Sequence, residues 1–85
     1  MFEAMQETRK IGEIIRFHRK RSKLTQAQLA KLAGVGKTAV FDVEKGKETA
    51  QLNTLLKMMK VLNVKPDFSS PLISEFNKLK AKDVK

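Results

Sequence analysis

"GVGKTAVFDVEKGK", residues 34–47, decides how this chain folds. Gly36-Lys37-Thr38, with a second glycine just upstream, ends like the loop by which nucleotide-binding proteins grip phosphate. That loop needs a glycine five residues ahead of its Gly-Lys-Thr and a β-strand leading into it. Five residues before Gly36 stands Lys31, and the preceding stretch, "TQAQLAKLA" at 25–33, is helical. Thr25 is a good N-cap, and Gln28 three residues later completes a capping box. Leu29, Leu32 and Ala33 supply an apolar stripe, and Gly34 suits a left-handed C-cap. The quoted stretch is therefore the elbow between two short helices, with Val35 plugging the turn. The nucleotide reading fails.

Working outward, the pattern stays helical. Thr8 to Lys20 place Ile11, Ile14, Ile15 and His18 at the spacing of one helix face. A helix from Lys37 to Lys45 turns Val40 and Val43 inward and closes at Gly46. Its β-branched residues lower its intrinsic propensity, so packing must sustain it. "LNTLLKMMKVLN", residues 52–63, carries Leu52, Leu55, Leu56, Met59 and Leu62 on one side. Its paired methionines read as gap-filling core rather than a ligand box. "VKPDFSS" breaks the pattern, and Ser70-Pro71 reads as N-cap and first residue of a fifth helix bearing Leu72, Ile73, Phe76 and Leu79. The terminal "KAKDVK" is expected to fray. The one place for a strand is around Val64 to Phe68, where Pro66 would confine it to an edge.

Composition bounds the function. Eighty-five residues make one domain, whose core hides roughly 60% of the unfolded chain's surface, so a partner subunit would help it. Cysteine is absent, which removes disulfides and thiolate metal sites. No apolar run approaches the roughly 18 residues of a membrane span, and no signal peptide is visible, so a soluble cytoplasmic protein is expected. Eighteen Lys and Arg against nine Asp and Glu leave a net charge of +9. Arg9, Lys10, Arg16, Arg19, Lys20, Arg21 and Lys23 meet only Glu13 in their window. Such a surplus either solubilises a helix face or favours a polyanion, whose bound counterions are released when its phosphates are neutralised. One histidine and scattered carboxylates assemble no nucleophile–base pair, paired acids or metal cluster, so neither an enzyme nor a cofactor is expected. His18, on the inward stripe, reads as packed core.

Two short helices joined by a tight glycine-containing turn make the DNA-binding helix–turn–helix, whose second helix enters the major groove. Ala30 is small where the helices cross, and Val35, Val40 and Val43 hold the crossing angle. In order and spacing, "LTQAQLAKLAGVGKTAVFDVEKGK" with "LNTLLKMMKVLNV" resembles the repressor-type domain of the Cro/C1 (Xre) family. More narrowly, "IRFHRK", "GVGKTAVFDVEKGKET" and "LNTLLKMMKVLNV" resemble the HipB-like antitoxins, partners of HipA-type Ser/Thr kinase toxins. The resemblance implies an all-α, four- to five-helix, lambda repressor-like fold. The chain divides into an N-terminal extension (1–8), the helix–turn–helix domain (9–64) and a C-terminal dimerisation or partner segment with a basic tail (65–85).

The resemblance also implies roles. Lys37, Thr38 and Asp42 stand where relatives meet base edges. Lys37 can donate to guanine, the Thr38 methyl can meet a thymine methyl, and Asp42 can accept from cytosine or simply face solvent. Gln26, Lys45 and Lys47 read as phosphate contacts. Gly36 replaces the Ser or Thr that relatives place as N-cap. Phe41, where many carry Ser, either packs on thymine methyls or the sugar edge, or covers Val64. Arg19 and Glu44 correspond to a buried ion pair tying the first helix to the third. Leu72, Ile73, Phe76 and Leu79 either cap the monomer's own core or form a seam with a sister chain or a toxin. A dimer suits half-sites one DNA turn apart. The expected function is an operator-binding, autoregulating repressor, paired with a HipA-like toxin. Its alternatives are a plain phage-type or operon repressor, or an Xre-type interaction adaptor.

Overall fold

The computed structural model describes the backbone of residues 4–83 and the side chains of residues 7–81. Five α-helices follow one another: α1 (Ala4–Arg21), α2 (Gln26–Ala33), α3 (Lys37–Glu44), α4 (Leu52–Leu62) and α5 (Ile73–Asp83). Among these residues no strand forms, and Val64 to Ser70 have no regular structure. The all-α class expected from the sequence is found. No described helix is long and apolar enough to cross a membrane.

Local chemistry sets the boundaries. Thr25 Oγ1 accepts from the Gln28 amide at 3.0 Å, and Gln28 Oε1 accepts from the Thr25 amide at 2.8 Å. That reciprocal box satisfies two amides that an uncapped helix leaves open. Gly34 ends α2 in the left-handed region (φ 72°), and Val35 N–H donates to the Ala30 carbonyl at 2.9 Å. Asn63 does the same for α4 at φ 60°, with Val64 N–H donating to Met59. Lys23, at φ 60°, ends α1 in this way without being a glycine. Two starts differ from expectation. Helix α1 begins at Ala4 rather than Thr8, and α5 begins at Ile73, with Pro71 and Leu72 in a turn ahead of it.

The core is Ile15, Leu29, Ala30, Val40, Val43, Met58 and Leu62, with Val35, Leu55 and Met59 packed against it. Helix α3 lies against α1 and α2, and α4 closes the cluster against α2 and α1. Three helices are rotated from the apolar stripes read in the sequence. In α1 the inward row is Gly12, Ile15 and Arg19, while Ile11 and Ile14 are about two-fifths exposed (38% and 40%). A Cβ at Gly12 would stand 2.4 Å from the Val43 carbonyl oxygen, so only glycine lets α1 approach the end of α3. In α2 the inward face runs through Leu29, Ala30 and Ala33, leaving Leu32 exposed. In α4 it runs through Leu55, Met58 and Leu62, leaving Leu52 and Leu56 exposed. Met58 is fully buried core.

Helix α5 belongs to none of this. No described residue beyond Val64 is part of the core or packed on it, and Leu72, Phe76 and Leu79 are more than half exposed. The radius of gyration is 15.1 Å, against about 12 Å for a compact chain of this length. That excess fits a C-terminal helix standing off the α1–α4 body. Capping the monomer's own core, one of the two expectations for α5, is not what it does.

Candidate nucleic-acid interface

Helix α3 has two faces with separate tasks. Val40 and Val43 point into the core, while Lys37, Thr38, Phe41 and Lys45 are exposed on the opposite side and Asp42 is half-buried at its edge. At 100° per residue these outer positions form one continuous face about two turns long. Gly36 opens the helix with extended backbone (φ −77°, ψ 151°) and no side-chain cap. Its surroundings are open: a Cβ there would meet nothing within 4 Å. The first amides of α3 are thus uncovered by any cap side chain.

Helix α2 begins beside this face. Gln26, Thr25, Lys20 and Lys37 line one concavity between the C-terminus of α1 and the starts of α2 and α3. Nothing in the sequence sets Lys20 apart beyond its place in the basic run at the end of α1. The concavity joins two ammonium groups to the N-terminal amides of a helix, whose dipole favours negative charge.

A buried network fixes one wall of that concavity. Arg19 Nε donates to Glu44 Oε2 at 2.6 Å and a terminal guanidinium nitrogen donates to Oε1 at 3.0 Å, a bidentate pair. The other terminal nitrogen donates to the Leu24 carbonyl at 2.8 Å. The Gln26 side-chain amide donates to the same Glu44 Oε1 at 3.1 Å. Arg19 is only 7% exposed, and its pKa is raised, chiefly by the hydrogen bonds with Glu44 against a smaller opposing effect of burial. The carboxylate therefore serves two partners, tying α1 to the end of α3 and orienting the first residue of α2.

Asp42 and Lys47 meet each other: Lys47 Nζ is 3.5 Å from Asp42 Oδ2, and the Lys47 amide donates to the Asp42 carbonyl at 3.0 Å. Together with Thr49 and Thr54 they line a second concavity beside the start of α4. The carboxylate thus has a cation beside it, which lessens its repulsion of any nearby phosphate. Lys45 does not reach away from the helix; its Nζ lies 5.2 Å from the centre of the Phe41 ring, a cation–π contact one turn back. Phe41 itself is 47% exposed on the outer face. His18 Nδ1 donates to the Ile14 carbonyl at 2.7 Å, one turn back along α1, and is half-buried. Among the described residues no group of His, Asp or Glu is arranged to hold a metal ion. The sequence also gave no reason to single out Phe17, exposed on α1 with the Arg21 guanidinium 5.3 Å from its ring centre.

The residues that build these features coincide with a family match. A model of the family described as helix-turn-helix matches residues 15–69. An uncharacterized HTH-type transcriptional regulator of Sinorhizobium fredii, y4mF, is 39% identical over 61 residues, covering 72% of this chain and 80% of that protein. The matched region spans the capped α2, the Gly34 turn and α3 with its outer face clear of the core. The chain belongs to the family of helix-turn-helix transcriptional regulators.

Proposed function

We propose that this protein is a sequence-specific repressor that binds operator DNA as a homodimer, represses its own operon, and acts as the antitoxin of a HipA-like kinase toxin. The observation that carries the DNA reading is the outer face of α3. Lys37 and Thr38 stand clear of the core there, beside the start of α2 where Gln26 is held by Glu44. In this reading Lys37 and Thr38 meet base edges, with Asp42 at the rim. Gln26, Lys45 and Lys47 take phosphates, and the uncapped Gly36 admits one close to the α3 amides. The net charge of +9 draws the chain to DNA whatever its sequence. The dimer rests on α5, whose Leu72, Ile73, Phe76 and Leu79 find no place in the monomer's core. The antitoxin role rests on the likeness of "IRFHRK" and "GVGKTAVFDVEKGKET" to HipB-like sequences.

The test is fluorescence anisotropy at about 0.15 M salt, with duplex from just upstream of its own gene against a scrambled duplex of equal length. A preference of ~10³-fold or more, the lower end for specific binders, lost in Lys37→Ala and Thr38→Ala, supports the repressor. Equal, weak and salt-sensitive binding to both overturns it and moves specificity to a protein partner. Co-expression with a kinase encoded beside it then separates an antitoxin, which co-purifies with the kinase, from a plain repressor, which does not.

A further inference from the structure

We infer that Phe41 selects a pyrimidine 5-methyl group on the major-groove edge of the DNA, so that the protein distinguishes thymine from bases with the same hydrogen-bonding edge but no methyl. This rests on the DNA-binding reading above and assigns a specificity-determining residue within it.

Placement carries the argument first. Phe41 lies on the outer face of α3, between Thr38 one turn before and Lys45 one turn after, and opposite the buried Val40 and Val43. It is 47% exposed and belongs neither to the buried core nor to the partly buried shell packed on it, so much of the ring is open to a partner. Chemistry narrows the choice. A phenyl ring neither donates nor accepts a hydrogen bond, so it gains nothing from the polar groups that distinguish guanine, adenine and cytosine. The one apolar group on the major-groove edge of an unmodified base pair is the thymine methyl. Lys45 supplies the third element. Its ammonium, 5.2 Å from the ring centre, holds the ring against one more rotamer loss on binding and carries charge to the same spot. A ring flanked by Lys37 and Lys45 on one face enters a groove between phosphates rather than lying flat against a protein.

Two sources offer this methyl: thymine, and cytosine methylated at C5. The test distinguishes them. Duplexes are selected by the full-length protein from a random-sequence pool. In the selected site each thymine is replaced singly by uracil, which removes only the methyl, and each cytosine singly by 5-methylcytosine. Binding is read by anisotropy for the wild type, Phe41→Ala, Phe41→Leu and Thr38→Ser. Because Phe41 lies outside the core, the melting temperature of its variants should match the wild type.

At one position in each half-site uracil should weaken wild-type binding about fourfold, the worth of one buried methyl group. That discrimination should vanish in Phe41→Ala, persist in part in Phe41→Leu, and remain in Thr38→Ser. A gain with 5-methylcytosine at one position, lost in Phe41→Ala, supports the same contact with the modified base as its source. Discrimination that survives in Phe41→Ala but disappears in Thr38→Ser gives the methyl to Thr38 and overturns the inference. A uniform weakening of all duplexes in Phe41→Ala places the ring on the sugar–phosphate backbone and also overturns it. Failure to enrich any sequence removes the DNA-binding reading itself, an outcome distinct from enrichment without methyl discrimination.

Discussion

Glu44 is the residue on which most depends. Its carboxylate takes two hydrogen bonds from Arg19 and one from Gln26, and the Arg19 and Glu44 side chains are almost wholly removed from water. Removing one partner leaves the other buried and uncompensated, which costs roughly 3–5 kcal/mol, although the pair adds little over well-packed apolar residues. Arg19→Ala should therefore lower the unfolding free energy by about that much and shift the urea midpoint before any DNA contact is tested. An unshifted midpoint would contradict this account of the pair. The capping box at Thr25 and Gln28 was legible because its chemistry is local and runs over three residues. Gln26's bond to Glu44 was not, since it joins positions 18 apart in sequence, and no spacing rule specifies where a flexible amide points. Nor did Phe41's contact with Lys45 follow from composition, although both residues were visible one turn apart.

At the scale of the helix, the sequence told where each element lies better than which way it faces. Counting apolar residues placed Ile11 and Ile14 inward, yet the inner row of α1 contains a glycine and an arginine. Hydrophobicity cannot find these, because Gly12 is inward for closeness and Arg19 for its partner. Gly12→Ala would drive a methyl into the Val43 and Glu44 carbonyls at 2.4 and 2.7 Å. Backbone cannot swing aside as a side-chain tip does, so the expected loss is about 1–3 kcal/mol, measured by thermal or urea unfolding. A wild-type melting curve would show that α1 and α3 separate freely. Gly36 offers the opposite case. Its φ of −77° suits any residue and its surroundings are open, so Gly36→Asp should cap α3. The gain is a few tenths of a kcal/mol, while the new carboxylate should weaken DNA binding. Stability and affinity moving in the same direction would refute that division. For α5 the sequence could not decide, because a stripe of Leu72, Ile73, Phe76 and Leu79 fits a core and an interface equally well.

At the scale of the molecule, the hydrophobic core of the described residues ends near Val64. Deleting residues 66–85 should therefore leave the unfolding free energy of the remaining domain unchanged within about 0.5 kcal/mol, the usual range away from core, caps and paired charges. The comparison requires dilution enough to keep the intact chain monomeric, since self-association would add its own stabilisation. If α5 is the dimer seam, sedimentation at higher concentration should show the intact chain associating and the truncated one remaining monomeric. A truncated chain that still dimerises moves the seam to the exposed Leu52 and Leu56 face of α4. The fold class was readable because helix signals repeat along the chain. The separation of α5 from the rest was not, because it depends on what the other four helices leave uncovered.

The two faces of α3 have an evolutionary consequence. Its anchoring valines are buried while Lys37, Thr38 and Phe41 are exposed along the same eight residues of backbone. Substitutions at Lys37, Thr38 or Phe41 can accumulate without a stability threshold to cross, so a lineage can drift from one target to another through intermediates that all fold. Glu44 and Gly12 have no such freedom. Descendants of this chain should thus diverge fastest on the surface that defines what they recognise, and slowest where α1 meets the end of α3.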